Sequence, residues 1–316
     1  MIFRGALFGL GNVGFKYDKN VKNKSYLTHY STIKNLDGFE LIYAIDNDKK
    51  NRNEFEQITK IKTISTDELL RGNKKIDIVI IATPPKTHID IIKKIVVLKP
   101  KVILCEKPLS LSNFETIDII KLCSSKKINL ELNYFRKFEQ SAESIKKILN
   151  NISFFRATVF YSNGFINNGS HFLDLITYWF GKPKDVFLKK QNGVLEKSFK
   201  DYDLDFELNY DKGDVNFFSW KENLYSNYSI RIYTDLFKID YDINGYKTTM
   251  CNSIEDPDYK GFKRLNKESV FIKNNLSEGF KPMYSKIYSN MKKMVKTDFD
   301  KIKIVPKIIN RILKQI

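Results

Sequence analysis

The chain has 316 residues, 42% of them apolar and 14% aromatic, with 54 Lys+Arg against 37 Asp+Glu and a formal net charge of +17 at pH 7. That composition excludes global disorder, and the length suits two domains, each able to bury a core of its own. No apolar run approaches the roughly 20 residues that cross a bilayer as a helix, so no membrane partner is expected.

The charge excess is carried by lysine, with only eight arginines. Base readout and bidentate phosphate clamps favour arginine, so the excess reads as a solvated lysine surface that at most helps attract an anionic ligand, and no nucleic-acid partner is expected. The first 15 residues are apolar but glycine-rich, hold only Arg4 as an early cation and lack a small-x-small cleavage site, so they read as the first strand and turn of a domain. Cys105, Cys123 and Cys251 are odd in number and far apart, which fits neither a disulfide framework nor a metal site and points to a reducing cytoplasm.

The first 135 residues alternate β-rich runs with helical patterns. Strands are expected at residues 2–8, 39–45, 77–82, 101–105 and 128–132, the third a continuous Ile/Val run of the kind buried on both faces. Helices are expected at 86–98 and 113–126, the second opened by Ser112 three residues before Glu115, a capping-box spacing. This alternation implies crossover connections and a parallel sheet, hence a doubly wound nucleotide-binding domain.

From about residue 150 the texture changes to aromatic-rich runs with period-two alternation, such as 228–233 and 237–243, separated by Asn and Gly turns. A helix at 171–180 interrupts them, and two more close the chain at about 280–294 and 299–315. The expected fold is α/β plus α+β: an N-terminal Rossmann domain over residues 1–135, then a mostly antiparallel sheet domain with flanking helices over 136–316, the last helix packing back on the first domain. A cleft between the two is the default ligand site, and an exposed antiparallel sheet face suits a homodimer or homotetramer.

Gly9-Leu10-Gly11-Asn12-Val13-Gly14 directly follows the first strand with the spacing G-x-G-x-x-G. Gly9 permits the tight turn, Gly11 lets the backbone approach a pyrophosphate, and Gly14 allows close helix-to-strand packing, which sets the phosphates at a helix N-terminus. The second strand ends in Asp46, whose carboxylate suits the adenosine ribose hydroxyls and repels a 2′-phosphate. Lys49, Lys50 and Arg52 nearby could attract one, so NAD is favoured with NADP as the alternative. Gly14 to Asp46 is longer than the usual ~20 residues, and the polar stretch 16–25 looks like an inserted loop.

The third strand ends Ala82-Thr83-Pro84-Pro85 with His88 just after, and the fourth ends Cys105-Glu106-Lys107-Pro108. Ligands of open α/β sheets bind outside the carboxyl ends of the strands, where both segments must lie. Together with Asn167-Asn-Gly169-Ser-His171-Phe-Leu-Asp174 these blocks resemble, in order and spacing, the glucose-fructose oxidoreductase, inositol dehydrogenase and MocA (Gfo/Idh/MocA) family of nicotinamide-dependent oxidoreductases. The resemblance covers nearly the whole chain, including its closing helix.

The resemblance implies that Lys107 holds the reacting oxygen of the substrate, that His171 is the general acid or base, and that Thr83, Pro84, His88, Glu106 and Lys107 lie around the cofactor. A near-neutral imidazole suits removal of a hydroxyl proton, and an ammonium suits a developing alkoxide. The family has aspartate four residues before the histidine, where this chain has Asn167; an amide can hold a sugar hydroxyl but adds no charge to raise the basicity of its neighbours. Asp174 stands at i+3 from His171, placed to orient it or to pack and cap the helix. Arg136 is a candidate for an anionic substrate group. Tyr161, Asn163 and Phe165 are candidates for a pocket wall, whereas Phe217, Phe218 and Trp220 read as sheet packing.

The function expected is an NAD(P)-dependent oxidoreductase acting on CH–OH groups of a sugar, with a nucleotide-linked sugar for surface-glycan synthesis foremost. A free sugar or cyclitol dehydrogenase and a catalytically weak dinucleotide sensor, the latter suggested by Asn167, are the alternatives.

Overall fold

A strand made only of Ile and Val has no face to offer water, so it is stable only where both faces are covered. In the computed structural model, which describes residues 1–196, 199–221 and 224–316, that strand is Ile78–Ile81, and all four of its residues are fully buried. It is β3 of a five-stranded parallel sheet with β1 (Phe3–Phe8), β2 (Phe39–Ile45), β4 (Val102–Cys105) and β5 (Asn129–Leu132), in the order β2-β1-β3-β4-β5. The order reverses at β1, which has β2 on one side and β3 on the other, so a crevice opens at the carboxyl ends of β1 and β3. The crossovers carry helices α1 (His29–Asn35), α2 (Lys49–Thr59), α3 (Thr66–Arg71), α4 (His88–Ile95) and α5 (Asn113–Ser125).

Two helix ends differ from expectation. The helix expected at 86–98 is regular only over His88–Ile95, with 3-10 turns at Pro85–Thr87 and Val96–Leu98, because two prolines precede it and Lys99 turns left-handed before Pro100. Ser112 does cap α5 by accepting from the Glu115 N–H, but the Glu115 carboxylate turns to the Ser110 hydroxyl instead of closing a capping box.

The first crossover explains the long Gly14–Asp46 spacing. After the glycine-rich loop the chain makes one helical turn, with Phe15 and Lys16 N–H donating to Gly11 O, and then leaves the helix. It returns at His29, whose N–H donates to Val13 O, while that of Tyr30 donates to Gly14 O. His29 thus takes the position that residue 17 would hold in an uninterrupted helix. Twelve residues are looped out, and removing them restores the usual ~20-residue spacing from the last glycine to the ribose-binding acid. The loop is held from within by Asp18, whose buried carboxylate accepts from the hydroxyls of Ser25, Thr28 and Ser31 and from the Leu27 N–H.

The second half holds α6 (Gln140–Ile148), β6 (Phe155–Ser162), α7 (Ser170–Phe180), β7 (Asp185–Glu196), β8 (Lys200–Tyr210), β9 (Gly213–Trp220), β10 (Ser229–Thr234), β11 (Phe237–Asp242), β12 (Lys247–Glu255), β13 (Lys263–Leu265) and β14 (Val270–Phe271). They form one sheet in the order β13-β12-β11-β10-β6-β9-β8-β7, with β14 on β12. Every pairing is antiparallel except the central β6–β9 pair, which runs parallel. Ala157, Val159, Tyr161, Phe206, Phe217 and Ile232 supply the covered face, with Phe206 and Phe217 stacked at 4.3 Å. Phe218 and Trp220 lie on the half-exposed face, both against Phe160.

The chain divides into two compact units: Met1–Phe135 with Glu278–Lys303, and Arg136–Ser277 with Ile304–Ile316. It is therefore α8 (Lys281–Lys293), not the closing helix, that returns to the first unit, where Tyr288 packs against Phe3 and Phe39. The helix expected at 299–315 is two, α9 (Phe299–Ile302) and α10 (Ile304–Leu313), because Pro306 lacks an N–H and fits only a first turn. α10 packs on α7 and β7. Among the described residues no helix is long and apolar enough to cross a membrane.

Candidate active site

The turn after β1 is built by two glycines that cannot be replaced without moving main chain. Gly9 has φ +92°, and a Cβ there would press on Ala82 O; a Cβ on Gly14 would run into Gly9 O. Gly11 is the opposite case, with nothing within 4 Å of where its Cβ would point. That empty space belongs to a cavity of about 600 Å³ lined by Gly9, Gly11, Asp46, Asn51, Thr83 and Pro84 among others. Backbone kept bare on one side of such a volume is the cradle a pyrophosphate needs.

Asp46 is held in place rather than left to swing. Its Oδ2 accepts from the Leu10 N–H at 2.7 Å and from the Asn51 amide at 3.3 Å, and its Oδ1 accepts from the Asp48 N–H at 2.8 Å. Arg52 is committed to main-chain carbonyls, donating to Asp46 O at 2.8 Å and Asn47 O at 2.9 Å. Of the cations near this position, it is thus not poised for a 2′-phosphate. A neighbouring cavity of about 340 Å³ shares Asp46 and Asn47 and continues past Ser65.

His88 stands beneath this cavity, not on its wall. It is fully buried, with Nδ1 3.0 Å from Leu109 O and Nε2 2.8 Å from Thr83 O, so it fastens the segment after β3 to the segment after β4. Burial holds its imidazole below the ordinary value against the pull of those carbonyls. Asn12, Val13 and Gly14 form the turn that carries the loop into α1. Glu106 and Lys107 follow β4 directly; the Glu106 carboxylate accepts from His29, from the Asn133 amide and, at 3.3 Å, from the Lys107 N–H. His29 is a residue that the sequence reading passed over, since in a looped-out helix no spacing rule points to it.

In the second unit the residues singled out gather at the start of α7. The chain turns there through a π-helical stretch, Phe165–Gly169. That turn is organised by Asp201 of β8, a residue that no motif or spacing points to: its Oδ1 accepts from the Ile166 N–H at 2.8 Å and its Oδ2 from the Asn167 N–H at 2.9 Å. Gly164, at φ +93°, lets the carboxylate in, because a Cβ there would overlap it. The Asn167 amide donates to Asn163 O at 3.4 Å, and His171 stands half-buried in the first turn of α7.

Asp174, one turn on, is buried and accepts from Lys137 Nζ at 3.3 Å. Burial pushes its carboxyl above the ordinary range, and the Lys137 charge only partly opposes this. Arg136 donates to the Tyr241 hydroxyl at 3.1 Å and to Asn244 O at 2.8 Å, with its guanidinium 5.2 Å from the centre of the Phe172 ring. Tyr161 and Phe165, expected on a pocket wall, are core residues instead: both are fully buried, and the Tyr161 hydroxyl bridges the main chain of Leu204.

Residues 3–134 match the model of the Gfo/Idh/MocA oxidoreductase family, NAD-binding Rossmann fold. Residues 3–134 are thus similar to the NAD-binding Rossmann domain of that family. Comparison with curated proteins finds no match. Among solved structures, the Bordetella pertussis WlbA dehydrogenase in complex with NADH and UDP-GlcNAcA is 15% identical, with 99% of this chain and 95% of that one covered at a TM-score of 0.75. The UDP-N-acetylglucosamine 3-dehydrogenase GnnA of Acidithiobacillus ferrooxidans is 14% identical over 99% and 97%, TM-score 0.71. An Agrobacterium radiobacter oxidoreductase in complex with NAD+, L-tartaric acid and magnesium is 14% identical over 100% and 98%, TM-score 0.72. At these identities the likeness shows the fold alone, and it runs over nearly the whole length of this chain.

Proposed function

We propose that this protein is an NAD-dependent oxidoreductase of the Gfo/Idh/MocA type that exchanges a hydride with a CH–OH carbon of a sugar, foremost a nucleotide-linked sugar used in building a surface glycan. The observation that carries the reading is the bare Gly11 backbone on the wall of the 600 Å³ cavity, with the anchored Asp46 carboxylate on the same wall. Nicotinamide, when bound, supplies the hydride exchange. The chain's own residues do the rest. Gly9, whose N–H is spent on Ile45 O, makes the tight turn, Gly11 and the turn through Asn12, Val13 and Gly14 offer main-chain N–H groups to the phosphates, Asp46 accepts from the adenosine ribose, and Thr83 and Pro84 bound the cavity opposite.

The ammonium of Lys107 orients the substrate oxygen and stabilises charge developing on it, and His171 takes or returns its proton. Asn167 holds a sugar hydroxyl, Asp174 steadies the start of α7 through Lys137, and Arg136 stands for an anionic group of the substrate. The nucleotide-sugar reading draws on the ligand of WlbA and the substrate named for GnnA. A free polyol or hydroxy acid is the second reading, favoured by the tartaric acid in the Agrobacterium structure. The enzyme is taken to be a cytoplasmic homodimer or homotetramer.

The test is a screen of UDP-sugars, free sugars and cyclitols for NAD reduction, followed by Lys107→Ala and His171→Ala. Each variant is expected to lower kcat by about 10² or more with NADH affinity little changed, and the double variant to lose much less than the product of the two, since both groups act on one oxygen. Near-normal turnover in both single variants refutes the assignment and favours a sensor.

A further inference from the structure

His29 is fully buried and touches three elements of the first unit. Its own N–H closes the interrupted helix onto Val13 O, its Nδ1 is 2.7 Å from the Tyr284 hydroxyl of α8, and its Nε2 is 3.0 Å from Glu106 Oε1. Its ring lies against Phe280, at 5.0 Å between centres. The same Glu106 oxygen accepts from the Asn133 amide, and the other accepts from the Lys107 N–H.

The proton positions follow from what each group can do. A carboxylate only accepts, so Nε2 carries the hydrogen that reaches Glu106; in the neutral ring Nδ1 is the acceptor, and the Tyr284 hydroxyl donates to it. The phenol thereby fixes the tautomer that the carboxylate needs. Burial pushes the Glu106 carboxyl up, but the His29 and Asn133 hydrogen bonds and the charge of Lys107 outweigh it and leave the group below its ordinary value. Tyr284 is pushed the other way, first by burial and then by Glu106, and so remains a phenol donor.

We propose that Tyr284, His29 and Glu106 form a buried phenol–imidazole–carboxylate chain in which His29 is a positioning residue, holding a negative charge beside Lys107. The proposal rests on Lys107 acting as described above, yet its core, a charge maintained next to that lysine by His29, can be measured without any substrate. The other titratable groups that feel Glu106 are Cys105 and His88, both buried and neither donating to its carboxylate. Removing the His29 donor should therefore let Glu106 take up a proton, and Lys107 should then lose its ammonium at lower pH.

The experiment is competitive acetic-anhydride labelling of the full chain across pH, read at Lys107 by peptide mass spectrometry, with melting temperature and NADH titration in parallel. His29→Ala and Glu106→Gln should each move the Lys107 labelling midpoint down by about half a pH unit or more. The double variant should move it no further than Glu106→Gln alone, since His29 acts only through Glu106. Tyr284→Phe, which keeps the ring and the packing, should move it in the same direction by a smaller amount. If His29→Ala does not fold, Tyr284→Phe and Glu106→Gln decide the matter. A folded His29→Ala or Tyr284→Phe whose midpoint matches the unmodified protein overturns the proposal, as does an additive double variant. Absence of turnover on every sugar tested, with the midpoints shifted as expected, would instead overturn the sugar dehydrogenase reading and leave this chain of residues standing.

Discussion

The three glycines of the fingerprint share a motif but should fail in different ways when each gains a methyl group. At Gly14 the new Cβ would press into Gly9 O, main chain that cannot step aside, and at Gly9 it would press on Ala82 O in a backbone conformation that L-residues rarely adopt. Overpacking of this kind costs about 2–3 kcal/mol, which in a unit of this size lowers Tm by about 5–10 °C. At Gly11 the methyl enters open space, so Gly11→Ala should leave Tm unchanged or raise it slightly, as restricting the unfolded chain is worth about 0.4–1 kcal/mol. The same methyl occupies the volume reserved for pyrophosphate. Keeping a charged phosphate from two main-chain N–H groups forfeits roughly 3–5 kcal/mol, or about 10²- to 10³-fold in Kd. NADH fluorescence titration and thermal melts of Gly9→Ala, Gly11→Ala, Gly11→Val and Gly14→Ala separate the cases. A Gly11→Val protein that binds NADH like the unmodified one, or melts like Gly14→Ala, would refute the assignment of that cavity to the dinucleotide.

Three other perturbations follow from the same geometry. Asp46→Ala removes a ribose acceptor, a repulsive charge and the anchor of the Leu10 N–H, so NADH binding should weaken and the preference for NADH over NADPH should narrow; a strong NADPH preference in the unmodified protein would contradict the reading of this residue. Asn167→Asp replaces an amide that donates to Asn163 O with a carboxylate next to that of Asp201. The new acid should titrate high, so the melting temperature should fall by a few degrees at pH 7.5 and by much less at pH 4, a difference that a pH series of melts will show. Asp174→Asn should act in the opposite sense. An aspartate whose folded pKa is raised loses stability as pH climbs above the ordinary carboxylate range, so the variant should match the native protein near pH 4 and exceed its Tm at pH 7.5; equal melting temperatures at both pH values would mean that burial does not govern this group.

What the sequence determines by itself is whatever local chemistry encodes. The Ile/Val run at 78–81 could only be a buried strand, the alternation of 237–242 could only be a strand with one covered face, and Ser112 caps its helix because a hydroxyl in front of an apolar period has that N–H to satisfy. The glycine spacing after the first strand was legible for the same reason, since a turn and a close approach each demand a residue without a Cβ.

Tertiary structure alone decided the rest. The looped-out dozen residues rejoin their helix through hydrogen bonds from His29 and Tyr30 to Val13 and Gly14, a pairing with no period to read. The parallel contact of β6 with β9 inside an antiparallel sheet, and the return of α8 to the first unit, depend on which apolar faces find each other across more than fifty residues. The candidate site divides along the same line. Gly11, Asp46 and Thr83 were visible as motif residues, whereas Asp201 and His29 were not, because each acts by reaching, through folding, a backbone or a carboxylate far away in sequence. A carboxylate or an imidazole announces its chemistry in the sequence, but its partner is chosen only when burial removes water as the alternative.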